Sequence, residues 1–139
     1  MVTQSSMHLA EAMYLTIVAA LWGLTNPLLK KNSQGIEVIQ CKGKISQMFA
    51  EITFLVSNWK YIVSFLLNQT GSLVYYITLS TADLTLAVPI TNSMTFIFTA
   101  VSSHIMGERL LNAYILSGIA LVAAGVLLCV QGKSSALHS

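Results

Sequence analysis

Charge is what this sequence has least of. Lys, Arg, Asp and Glu together make up 9% of its 139 residues, where a water-soluble domain carries roughly a quarter. Four segments hold none at all: Ala12 to Leu29, Tyr61 to Leu79, Leu84 to Met106 and Leu110 to Val130. Uncharged runs in a soluble core rarely exceed about 14 residues, whereas each of these reaches roughly 27 to 35 Å as a helix and matches a hydrocarbon core of about 30 Å. A soluble globule is therefore not expected. Strands are not expected either, because four of them cannot close a barrel and hydrocarbon leaves no partner for an open edge. The fold class that follows is an all-α membrane protein, a four-transmembrane-helix bundle in one membrane domain over residues 1–139, with the lipid bilayer as its first partner.

Reactive groups are equally scarce. His8, His104 and His138 are scattered over a terminus, a helix end and a tail, with no Cys or carboxylate at metal-ligand spacing. No catalytic triad, metal site or cofactor is called for, and an enzyme is not expected. The two cysteines, Cys41 and Cys129, fall toward opposite membrane faces, out of disulfide reach. Cys129 is read as a small apolar helix residue and Cys41 as a free loop thiol. A net charge of +2 is too slight for nucleic-acid binding. No Lys or Arg precedes the first span and no cleavage pattern follows Trp22-Gly23, so it reads as a permanent span rather than a secretory signal. The sequon Asn68-Gln-Thr70 lies inside a span, where glycosylation cannot reach it.

The few charges are placed unevenly. Lys30, Lys31, Lys42, Lys44 and Lys60 fall between spans one and two, and Arg109 between three and four, against Lys133 alone on the other side. By the positive-inside rule the basic loops are expected in the cytoplasm and both termini on the lumenal or extracellular face. Within the first loop, Ile45, Met48, Phe49, Ile52, Leu55 and Val56 recur at helical spacing. A short amphipathic helix is expected there, lying in the membrane interface or packed on the bundle. The turns at Ser80 to Asp83 and Gly107 to Arg109 are tight, so consecutive helices are expected to run antiparallel and pack side by side.

Polar side chains inside the spans are the remaining signal. Asn68, Gly71, Ser72 and Tyr75 share one face of span two, while Thr85, Asn92, Thr99 and Ser103 form a stripe on span three. Asn26 follows Trp22 by one turn. Asn is costly against lipid and is expected to turn inward. These residues either bond neighbouring helices or line a cavity, for which the candidates are Trp22, Asn26, Asn68, Ser72, Tyr75 and Asn92. Pro27 and Pro89 free the carbonyls of Gly23 and Thr85 and are read as helix kinks. Gly118 and Gly125, one heptad apart, form a helix-packing or dimer face.

Three strings carry a resemblance: Val18-Ala-Ala-Leu-Trp-Gly-Leu-Thr-Asn-Pro-Leu-Leu-Lys30, Phe65-Leu-Leu-Asn-Gln-Thr-Gly-Ser-Leu-Val-Tyr-Tyr76, and Asp83-Leu-Thr-Leu-Ala-Val-Pro-Ile-Thr-Asn-Ser93. They closely resemble the transmembrane protein 234 family. That family in turn resembles the drug/metabolite transporter superfamily, through Trp22-Gly23 with Lys30, Pro89, Gly107-Glu108-Arg109-Leu110 and the Gly-rich stretch Ser117 to Gly125. In the superfamily's small multidrug-resistance branch a first-helix carboxylate exchanges protons against cationic drugs. Trp22 stands at that position and no span contains an acidic residue, so that mechanism is not expected. The resemblance implies a transporter-like protein moving a small neutral or polar solute. The alternative is a non-transporting scaffold or accessory subunit acting through protein contacts, with a parallel homodimer or another membrane protein as partner.

Overall fold

The computed structural model describes residues 2–108 and 112–137; Arg109, Leu110 and His138 lie outside them. Every regular element among the described residues is helical: α1 (Val2–Asn32), a 3-10 turn (Ile36–Val38), α2 (Lys44–Ser57), α3 (Trp59–Leu79), α4 (Leu84–Ile105) and α5 (Ala113–Leu137). Helices α1, α3, α4 and α5 are long and apolar enough to cross a bilayer.

Helix α1 starts ten residues before the expected span. Nothing between Val2 and Glu11 stops it, since the segment holds neither Pro nor Gly, and hydropathy marks only the part that lipid covers. The ends are set by local chemistry. Lys30 and Lys31 occupy the last turn of α1, where cations meet the negative end of the helix dipole. Asn58 caps α3, its side chain accepting from Lys60 N (3.2 Å) and Tyr61 N (3.4 Å), and Asp83 caps α4 by accepting from Thr85 N (3.0 Å). Helix α4 closes in a Schellman turn: Gly107 has φ +86°, Glu108 N donates to Ser103 O and Gly107 N to His104 O, both at 3.0 Å.

The arrangement departs from the one expected from the short turns. Helix α1 is central, packed antiparallel against α3 on one side and parallel to α4 on another, and α5 rests against α4. Helices α3 and α4 follow each other through a four-residue turn yet do not lie along one another. Small residues explain the choice of neighbour. In α1, Trp22 and Gly23 are about 100° apart on the helix, so the first meets α3 and the second meets α4. An added Cβ on Gly23 would overlap Phe98 of α4, and one on Gly71 of α3 would come within 3.1 Å of the Trp22 ring. Close approach of backbones at small residues is what holds membrane helices together when lipid is as apolar as the core. The buried positions bear this out: Val18, Ala19 and Thr25 on α1, Ser64, Gly71 and Thr78 on α3, Ala87, Thr91 and Thr95 on α4.

Lys30 Nζ lies 3.2 Å from both carboxylate oxygens of Glu108. The loop after α1 and the loop after α4 therefore occupy the same end of the bundle, as the chain's charge pattern requires.

Candidate functional site

Five of the six cavity candidates meet where α1 crosses α3. Asn68 Nδ2 donates to Thr25 Oγ1 (2.8 Å) and to Asn26 Oδ1 (3.2 Å). The backbone carbonyl of Asn68 accepts from Trp22 Nε1 (3.3 Å) and from Ser72 Oγ (3.4 Å). The Trp22 and Tyr75 rings stand edge to face, 5.0 Å between centroids and 64° between planes, a geometry the ring quadrupoles favour. Thr25 passes its own proton back to Leu21 O (2.6 Å), which leaves its lone pairs for Asn68. The result is a polar clasp between two helices. Asn26 remains exposed at its edge.

Asn92 is elsewhere, and it is not turned inward. It is exposed on α4, beside the buried Thr91 and Ser93, and makes no side-chain hydrogen bond among the described residues. Its stripe is divided: Thr85 is exposed, Ser103 is buried, and Thr99, whose buried Oγ1 has no hydrogen-bond partner among the described residues, lines an apolar groove of about 320 Å³ between α4 and α5. Gly118 opens on that groove, and an added Cβ on either Gly118 or Gly125 meets nothing within 4 Å. Among the described residues, then, the glycine stripe is not packed against another helix. Pro27 is buried and Pro89 half-buried, each inside a helix that continues past it.

Two features of the site are not evident from the sequence alone. Thr25 carries the clasp but looks, in sequence, like any threonine bonding its own helix. A second clasp closes the basic end: Asn58 Nδ2 donates to Asn32 O (2.8 Å), and Asn32 Nδ2 donates to Ser64 Oγ (3.2 Å) and Lys60 O (3.3 Å). Asn58 directly before a helical run is a capping signal that marks it.

Four apolar spans, an interior tied by small residues and amides, and lipid-facing exteriors define a multi-pass helical membrane protein. The profile of transmembrane family 234 matches residues 15–130, and the chain belongs to that family. A transmembrane protein 234 homolog from Anopheles gambiae is 37% identical over 129 residues, covering 93% of this chain and 92% of the relative. The homolog from Dictyostelium discoideum is 39% identical over 119 residues, covering 86% and 93%. No solved structure matches.

Proposed function

We propose that the chain is a membrane subunit that works as a lateral assembly, acting through contacts within the bilayer. The observation that carries this reading is Asn92, exposed on α4 about 12 Å inside the span. A bare amide facing lipid is costly, and interhelical partners are its usual relief. A second copy is the partner that fits best. The bias of Lys and Arg toward one end orients all copies alike, and a two-fold axis normal to the membrane holds each residue at the depth of its counterpart. Asn92 then faces Asn92, and an amide both donates and accepts.

Self-association measured by energy transfer between labelled copies in liposomes tests this. Asn92→Leu is expected to weaken it about tenfold, from two interhelical bonds of about 0.6 kcal/mol each, while Asn92→Gln retains most of it. Unchanged affinity in the leucine variant, or a wild type that stays monomeric when concentrated, overturns the reading. A solute carrier would draw on Trp22, Asn26, Asn68, Ser72 and Tyr75, but the Asn68 amide already donates to Thr25 and Asn26 on the neighbouring helix. Substrate-dependent flux into proteoliposomes across a broad metabolite panel is expected to be absent, and its presence would favour the carrier.

The orientation belongs to the same proposal, with the loops that meet at Lys30 and Glu108 in the cytoplasm. A glycosylation acceptor appended after Lys133 should be modified, and one placed between Gly35 and Gly43 should not. The reverse pattern inverts the topology, and modification of both sites denies a parallel dimer.

A further inference from the structure

Helix α2 shows its surroundings two different faces. Toward the preceding loop it is polar: Gln47 Nε2 donates to Ile39 O and to Glu51 Oε1, both at 2.6 Å, and Gln47 Oε1 accepts from Cys41 N at 2.7 Å. Its carboxylate is thereby turned inward. The face pointing away from the rest of the chain is apolar: Ile45, Met48, Phe49, Ile52 and Val56 share one side of the helix, and each is at least 48% exposed. This inverts the usual rule for an amphipathic helix on a protein core.

What covers that face is indicated by its position and its rim. Only Asn58 separates α2 from the membrane span α3, and its side chain is fastened to Asn32 O at the end of α1. Helix α2 therefore leaves the bundle at the level where two spans enter the bilayer. Lys42 and Lys44 stand exposed at its start, and Lys60 with Trp59, 69% exposed, at its end. Indole at the headgroup level and lysines flanking an apolar stripe match a surface that is hydrocarbon below and anionic above. We infer that α2 lies in the headgroup layer of its own membrane, apolar face down, and gathers anionic lipids through Lys42, Lys44 and Lys60.

The full-length chain, with Cys41→Ser and Cys129→Ser, can be given a single fluorophore at Ile52→Cys or at Ser46→Cys and reconstituted in mixed phosphatidylcholine/phosphatidylserine vesicles. At Ile52 the label should be shielded from aqueous dithionite, and nitroxide-labelled phosphatidylserine should quench it several-fold more than nitroxide-labelled phosphatidylcholine at equal mole fraction. At Ser46, about a third of a turn around the helix, dithionite should reach the label. Substituting Lys42, Lys44 and Lys60 by Gln should erase the preference for the anionic lipid, by about fivefold per lysine in local enrichment; these side chains are exposed, so the bundle remains folded. Equal dithionite access at both positions overturns the inference. So does a shielded Ile52 label that neither lipid quenches, which would mean a protein surface covers the face, and so does quenching without preference for the anionic lipid.

Discussion

Gly23→Val is expected to destabilise the folded bundle severely. The added side chain enters where α1 and α4 touch backbone to backbone: a Cβ at this position overlaps Phe98 and stands 3.0 Å from both the Phe98 carbonyl carbon and Thr99 N. A flexible side chain could swing aside, but a helix backbone cannot, so α4 must move away and take its contacts with it. Overpacking in a close-packed core costs about 1 to 3 kcal/mol and more where backbone is the obstacle. The stability of a single domain is only about 5 to 15 kcal/mol. An unfolding titration in mixed micelles should therefore show a loss of at least about 3 kcal/mol for Gly23→Val, with Gly23→Ala intermediate. An unchanged midpoint would mean that α1 and α4 are not packed at this glycine.

Asn68→Leu should destabilise the chain by about 1 to 3 kcal/mol, because it removes two interhelical bonds, which in membranes average about 0.6 and reach about 1.7 kcal/mol each. The companion variant Thr25→Val isolates one of them. A double-mutant cycle between the two positions should return a coupling of about 1 kcal/mol, whereas Asn92→Leu should leave monomer stability unchanged and act only on association. That contrast separates an amide used as an internal fastener from one used between molecules. If Asn68→Leu leaves stability intact and abolishes binding of a solute instead, the clasp is a binding site.

The four spans were legible because charge is excluded from them, and α2 because its apolar residues follow a period of 3.6. The shared face of Asn68, Ser72 and Tyr75 was legible for the same geometric reason. Which way a face points was not. In water a helix must turn its apolar side inward, so the pattern carries a direction; in lipid both sides of a span are apolar and the direction is lost. Asn92 on α4 shows this, exposed although its period matches that of an inward stripe. The neighbours of each helix were also hidden, since the turn from Ser80 to Asp83 fixes that α4 returns antiparallel to α3 but not that α1 should come between them. That choice lies in single small residues, Gly23 and Gly71, whose partners are tens of residues away in the chain.

The central place of α1 sets an order of events. Its partners α3 and α4 come later in the chain, so α1 must wait in the bilayer with both packing faces uncovered, and its contacts with α4 link residues as distant as Gly23 and Phe98. Lateral diffusion in two dimensions, rather than zippering of consecutive hairpins, must bring α4 past α3 to its seat. A ribosome stalled after α3 would hold a half-built pair fastened at Asn68, with Gly23 still facing lipid.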